Sequence, residues 1–320
     1  MLNRKLILIG AIILLFASVL NFNINPAHAG GSSTIFAQQL FVPDDVVVGS
    51  PTINYQDPEF LPGGSQMVFQ DANRDVWIAN LNLQTGLLRS TTGLDIAVDQ
   101  AISEISTTAN GPEWGVDSSG VSVFYTKPDI NGINQIWRAT LRGSLVTKRK
   151  LIERPQGAYG SLTSQDDTAS TVKVAYGVGS IGSGSVLAWS DETIPTQAIV
   201  VPDYSRNSAG ARWLPGGQDF TYSRISSELP LRSQIVRYRT ANQSIEVIAE
   251  ENGTISDVWG FLAPEFNNEL LYVATINHQQ VYVYRFINGN WTRFASLKLP
   301  SEATQRFIYS LEPVQGLRGF

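Results

Sequence analysis

The residues with the clearest capacity for chemistry are carboxylates at matching places along the chain. Four glutamates each adjoin a proline, and two aspartates lie near the same segments: Glu59, Glu113, Glu265, Glu312, Asp57 and Asp257. If several converge, a pair about 5–10 Å apart could act as the acid and the base or nucleophile of a glycosidase. The plainer interpretation, which the sequence favours, is that they are turn residues whose carboxylates accept hydrogen bonds from backbone amides.

Oxygen ligands alternate at Asp71, Asn73 and Asp75, which is the spacing of a calcium loop. The turn glycine that such a loop requires is absent, and Val76 follows directly, so the pattern favours a plain hairpin turn. His278 is the single histidine after the N-terminal segment, and the chain has no cysteine. A single histidine and no cysteine exclude a multi-histidine or cysteine-bound zinc site.

A glycine-rich run from Gly177 to Gly182 matches the dinucleotide-binding pattern G-x-G-x-x-G. That pattern holds a pyrophosphate only when a helix follows, because the helix N-terminus provides the donors. The residues from Gly184 to Trp189 are typical of a strand instead, which predicts a hairpin loop and no cofactor. The chain also lacks the G-x-S-x-G nucleophile motif, which disfavours Ser-His-Asp catalysis.

All these residues lie in a chain that repeats itself. Similar segments are anchored by aromatic residues at positions 60, 114, 159 and 213, which are 54, 45 and 54 residues apart. Each unit continues with further apolar strands, and four short strands in roughly 50 residues is the period of a propeller blade. A single four-stranded sheet cannot bury both faces, whereas sheets stacked around an axis do.

The third strand of each unit is its most regular element, because apolar and polar residues alternate there. We predict these strands at Asp75 to Ala79, Gln135 to Ala139, Ser185 to Trp189, Gln234 to Tyr238 and Gln280 to Phe286. The stretch from Ile96 to Ile105 is the only weak helical candidate in the mature chain, and we interpret it as a loop between blades.

Two segments, Leu61 to Gly64 and Leu214 to Gly217, read Leu-Pro-Gly-Gly, and each precedes a β-run. They stand where the WD40-like repeats of TolB-type propellers have Ser-Pro-Asp-Gly, and the chain resembles that family from Gln56 to Leu297. The resemblance implies an exported, six-bladed β-propeller. It implies no function, because the repeat serves binding proteins, peptidase domains and lyases alike.

The N-terminus has the order of a secretion signal. Arg4 and Lys5 precede the uncharged apolar run from Leu6 to Leu20, and Ala27 to Ala29 form a cleavage site. That run is shorter than the ~20 residues needed to span a bilayer. We predict a signal peptide at 1–29, export to the periplasm or outside the cell, and no membrane span after cleavage.

Composition narrows the class of protein further. A hydrophobic fraction of 43% with 16% charged residues indicates a globular chain rather than a disordered one. The net charge of −5 argues against a nucleic-acid partner, which requires clustered basic residues. Without cysteine, stability must come from packing and strand pairing.

The repeats define the layout of the chain. Five complete blades are predicted over residues 56–297, and 298–320 form a partial sixth repeat or a tail. Residues 30–55 are a candidate to complete the last blade, since Ile308 to Pro313 looks like one further first strand.

The sequence thus favours an exported binding or scaffold propeller that recognises a protein, peptide or glycan without catalytic activity. The alternative is a carbohydrate-active enzyme, glycosidase or lyase-like, with carboxylates in the central channel. A third interpretation, the propeller of a peptidase, requires a catalytic domain beyond Phe320.

Overall fold

The structure is a computed structural model. It describes residues 55–61, 65–82, 85, 87–100, 111–143, 145–179, 186–193, 195–202, 211–226, 230–263 and 266–297. Those residues form twenty strands in five four-stranded sheets, which we number as blades 1 to 5. The predicted signal segment 1–29, residues 30–54 and the partial sixth repeat 298–320 lie outside the described residues.

Blade 1 contains β1 (Gln56–Phe60), β2 (Gln66–Gln70), β3 (Val76–Asn80) and β4 (Ile96–Asp99). Blade 2 contains β5 (Glu113–Asp117), β6 (Gly120–Pro128), β7 (Asn134–Arg142) and β8 (Leu145–Ile152). Blade 3 contains β9 (Ala158–Thr163), β10 (Lys173–Val178), β11 (Val186–Asp191) and β12 (Ile199–Val200). Blade 4 contains β13 (Arg212–Trp213), β14 (Asp219–Ile225), β15 (Ser233–Arg239) and β16 (Ser244–Glu251). Blade 5 contains β17 (Ile255–Ala263), β18 (Glu269–Ile276), β19 (Gln280–Ile287) and β20 (Asn290–Leu297).

Strand order within every blade follows the chain, and each neighbouring pair is antiparallel. The predicted fold class, an all-β propeller of four-stranded antiparallel blades with five complete repeats, is confirmed. The third strands lie where alternation predicted them; Gln135 to Ala139, for example, falls within β7.

One local prediction was wrong. Ile96–Asp99 is a strand rather than a loop, because it pairs with β3 and its Val98 side chain is buried. This strand covers the outer edge of β3, so its conformation is set by pairing within the sheet rather than by local propensity.

The first strands of successive blades lie side by side. The indole Nε1 of Trp114 donates to the carbonyl oxygen of Glu59 in blade 1 at 3.0 Å. In the same way, the indole Nε1 of Trp213 in blade 4 donates to the carbonyl oxygen of Leu162 in blade 3 at 2.9 Å. Between blades 2 and 3, the N–H of Val116 donates to the carbonyl of Ser164. These contacts place the first strands innermost.

The hydrophobic cores lie between neighbouring blades. Val68 and Ile78 of blade 1 pack with Val123 and Tyr125 of blade 2, and the same kind of contact recurs between the later blades. Among the described residues, no helix has the length and apolar character needed to cross a membrane.

Candidate functional site

Acidic side chains from three blades converge on one arginine where the first strands meet. The guanidinium Nη1 of Arg212 lies 3.5 Å from the carboxylate of Glu113. Arg212 also interacts electrostatically with Asp57, Glu59 and Asp257. We call these five residues the axial cluster. Four of the six candidate carboxylates, Asp57, Glu59, Glu113 and Asp257, are therefore brought together, whereas Glu265 and Glu312 lie outside the described residues.

The repeat itself positions three members of the cluster. Each directly precedes a buried aromatic residue of its first strand: Glu59 before Phe60, Glu113 before Trp114, and Arg212 before Trp213. Successive side chains of a strand point to opposite sides. The packing of each aromatic ring therefore fixes the direction of the charged residue before it.

Asp57 reaches the cluster through an irregular backbone. The register between β1 and β2 shifts between Gln56 and Glu59, and Asp57 has a left-handed φ of 47°. Such bulges redirect side chains, and strained residues of this kind concentrate at functional sites. The Asp57 carboxylate accepts a hydrogen bond from the backbone N–H of Gly111. A Cβ at position 111 would lie 2.7 Å from the Cβ of Asp57, so this approach requires glycine.

Asp257 is held by its own strand. A second register shift lies between Ile255 and Asp257. The Asp257 carboxylate accepts hydrogen bonds from the N–H of Val258 at 2.9 Å and from the indole Nε1 of Trp259 at 3.0 Å. The Trp259 ring faces the guanidinium of Arg212, with 4.8 Å from its centroid to Cζ, which is within cation–π range.

In this cluster, burial and neighbouring opposite charges shift the pKa values of Arg212 and Asp57 in opposite directions. Burial alone would lower the pKa of Arg212, but the surrounding carboxylates, led by Asp257 and Glu113, raise it above its ordinary value. Burial raises the pKa of Asp57, and the proximity of Asp257 adds to this, while the Gly111 N–H and Arg212 oppose it. Four carboxyl groups thus share one guanidinium, and Glu59, Glu113 and Asp257 are only 4–5% exposed.

The proposed calcium ligands form a turn. The carboxylate of Asp71 accepts hydrogen bonds from the N–H groups of Asn73 and Asp75, and from the indole of Trp77. These three donors belong to the same hairpin as Asp71. In the part of the chain that the structure describes, no group of three or more acidic or histidine side chains is placed to hold a metal ion.

His278 lies in the turn between β18 and β19, and the glycine-rich run begins inside a strand. His278 has a left-handed φ of 56°, and its N–H donates to the Ser256 hydroxyl. Gly177 and Val178 are the last two residues of β10, and a strand, β11, begins at Val186; residues 180–185 lie outside the described residues.

The arginine at the centre of the cluster was missed by reasoning from the sequence. A signal was present, because Arg212 precedes Trp213 as Glu113 precedes Trp114 in the repeat. Aligning the repeats by the aromatic residues Phe60, Trp114 and Trp213 would have placed a cation at a position that is acidic in two other blades.

Comparison with known proteins shows resemblance to propellers of varied activity. No protein-family model matches the chain, and no curated protein matches its sequence. Similar solved structures include an oligogalacturonate lyase in complex with manganese, at 15% identity and TM-score 0.49, covering 79% of this chain and 69% of that one. A thermostable family-43 glycoside hydrolase aligns at 13% identity and TM-score 0.46, covering 80% and 98%. TolB from Acinetobacter baumannii aligns at 18% identity and TM-score 0.40, covering 59% and 42%. Identities of this size carry no information on substrate.

Proposed function

We propose that this protein is an exported, non-catalytic propeller that binds a protein, peptide or glycan through its axial cluster. The observation that carries the proposal is the convergence of four carboxyl groups on the single guanidinium of Arg212. Carboxyl groups outnumber guanidinium groups four to one within the cluster, a composition that suits a ligand bringing positive charge or several hydrogen-bond donors. A basic peptide side chain and the hydroxyls of a glycan both meet that requirement.

Binding measurements on the mature chain test this proposal. The probes are a lysine-containing peptide, its acetylated form without the charge, and a neutral oligosaccharide. We expect at least one probe to bind and its affinity to fall when Asp257→Asn or Glu113→Gln is introduced. Asp219→Asn is the control, because Asp219 pairs with Arg237 outside the cluster. Unchanged affinity in both cluster variants would contradict the proposal.

A second candidate function is a carbohydrate-active enzyme. It is favoured by one observation, the raised pKa of Asp57 beside other carboxyl groups of the cluster. Carboxyl groups whose environments separate their pKa values can divide the roles of acid and base. Hydrolysis or lyase assays on a panel of glycans distinguish the two functions. Robust turnover that disappears in Glu113→Gln would establish the enzyme and exclude a purely binding role.

A further inference from the structure

Asp57 differs from the other carboxyl groups of the axial cluster in its access to solvent. Glu59, Glu113 and Asp257 are 4–5% exposed, whereas Asp57 is only half-buried. Asp57 is also the second residue of β1, so it lies at the end of the blade where the chain enters its first strand. A ligand that approaches the cluster from this end therefore meets the Asp57 carboxyl group.

The contacts of Asp57 favour a protonated carboxyl group. Among the described residues, its carboxyl oxygens accept one hydrogen bond, from the backbone N–H of Gly111, and form no ion pair. A desolvated carboxyl group with few donors retains its proton more readily than one in water. Burial raises the pKa of Asp57, the Gly111 N–H and Arg212 oppose that shift, and Asp257 adds to it.

Charged groups reach this site from four first strands. Glu59 lies on the same strand as Asp57, Glu113 on β5, Arg212 on β13 and Asp257 on β17. Arg212 favours the ionised form of Asp57, and the negative charge of Asp257 opposes it. A proton on Asp57 therefore reduces the repulsion between carboxyl groups, and an additional cation beside Asp57 would do the same.

Arg212 indicates which kind of cation the cluster accommodates. Its guanidinium lies 3.5 Å from the carboxylate of Glu113, and its Cζ lies 4.8 Å from the centroid of the Trp259 ring. Carboxylates beside an aromatic ring bind ammonium and guanidinium groups by charge-assisted hydrogen bonds and cation–π contact. The hydroxyl groups of a glycan carry no charge that could replace a proton.

We propose that the axial cluster takes up the ammonium or guanidinium group of a basic peptide side chain in exchange for the proton of Asp57. The inference rests on the proposed binding function and names its ligand. The O–H bond of the Asp57 carboxyl group breaks, the proton passes to solvent, and the carboxylate pairs with the incoming cation. One positive charge replaces another, so the net charge of the site is unchanged, which avoids the cost of an unpaired buried charge.

Calorimetry of the full mature chain tests the exchange. The probe is a lysine-containing peptide with blocked termini and no other titratable group, measured in two buffers of equal pH and different ionisation enthalpy. We expect a release of up to one proton per peptide bound. Between about pH 4 and about pH 8, affinity should rise by up to about tenfold per pH unit while Asp57 is protonated, and then level off. The acetylated peptide and a neutral oligosaccharide should release no proton.

Asp57→Asn assigns the proton to its residue. Asparagine has the shape of the neutral carboxyl group, accepts the Gly111 N–H, and tolerates the left-handed φ of 47° at this position. It has no proton to exchange, so release should disappear and the peptide affinity should lose its rise with pH. His278→Asn is the control, because histidine ordinarily titrates in this range and position 278 also has a left-handed φ. Its proton release should equal that of the wild type.

Two outcomes overturn the exchange and leave the binding function intact. One is peptide binding by the wild type without proton release, which decides the question even if Asp57→Asn folds poorly. The other is a release that persists in Asp57→Asn. Failure of every probe to bind would instead contradict the proposed binding function, and this inference with it.

Discussion

The guanidinium of Arg212 lies 3.5 Å from the carboxylate of Glu113, and both residues precede the buried tryptophan of their first strands. Equivalent positions of the repeat thus carry opposite charges that meet between blades 2 and 4. The pair joins blades that are not adjacent in the chain, which makes the axial cluster a structural connection as well as a candidate ligand site.

Arg212→Leu should therefore destabilise the protein strongly. Removing one partner of a buried ion pair costs about 3–5 kcal/mol, because the remaining charge stays buried. Urea unfolding measures this loss. Arg239→Leu is the control, since its partly exposed pairing with Glu246 should contribute only about 0–1 kcal/mol. Equal losses in both variants would show that the cluster has no special role.

Gly111→Ala should cost about 1–3 kcal/mol through overpacking. The new Cβ would lie 2.7 Å from the Cβ of Asp57, closer than such atoms can approach. Asp57→Gly removes that atom and suits the left-handed backbone, so in this background Gly111→Ala should cost much less. A double-mutant cycle by chemical denaturation measures the coupling. If the losses of the two single variants simply add in the double variant, the cost of Gly111→Ala does not come from contact with Asp57.

Two aspartates should give opposite pH dependences of the free energy of unfolding. Burial raises the pKa of Asp57 above 3.8, so the folded state keeps a proton that the unfolded state releases. Its contribution is present below pH 3.8 and is lost as the pH rises through the folded-state pKa. Burial alone would also raise the pKa of Asp99, but hydrogen bonds from Lys148, Lys127 and Tyr125 lower it overall.

The contribution of Asp99 is accordingly present above pH 3.8 and is lost as the pH falls through its lowered pKa. Denaturation curves of Asp57→Asn and Asp99→Asn across the acidic to neutral range separate the two effects. Relative to wild type, the Asp57 variant should gain stability as the pH rises, and the Asp99 variant should lose it. The same sign in both variants would refute this assignment.

Tyrosine hydroxyls connect neighbouring blades near the ends of fourth strands. Tyr125 donates to Asp99 at 2.8 Å, and Tyr284 donates to Glu251 at 2.6 Å. Tyr125→Phe and Tyr284→Phe should each cost about 1.5–3 kcal/mol, the range for hydrogen bonds to charged groups. Tyr282→Phe is a matched control, because its hydroxyl meets Gln280 at the surface of the same blade. Thermal unfolding measures these effects: the midpoint should fall clearly in Tyr125→Phe and Tyr284→Phe and change little in Tyr282→Phe.

Local patterns were enough to predict the five four-stranded units. Alternation in Gln135 to Ala139 and the turn chemistry around Leu214 depend on residues close in sequence, so they can be interpreted without knowing how blades pack. Ile96–Asp99 escaped prediction, because it is a strand through its pairing with β3 rather than through its own alternation.

The sequence by itself determined the repeat, the strand order and the composition of the candidate carboxylates. Only the tertiary structure decided that Glu59, Glu113 and Asp257 meet, and that Arg212 lies among them. The bulge that turns Asp57 toward Gly111 joins residues 54 positions apart. Such convergence depends on how blades are placed around an axis, and that placement is set by long-range packing between blades rather than by the propensity of any single strand.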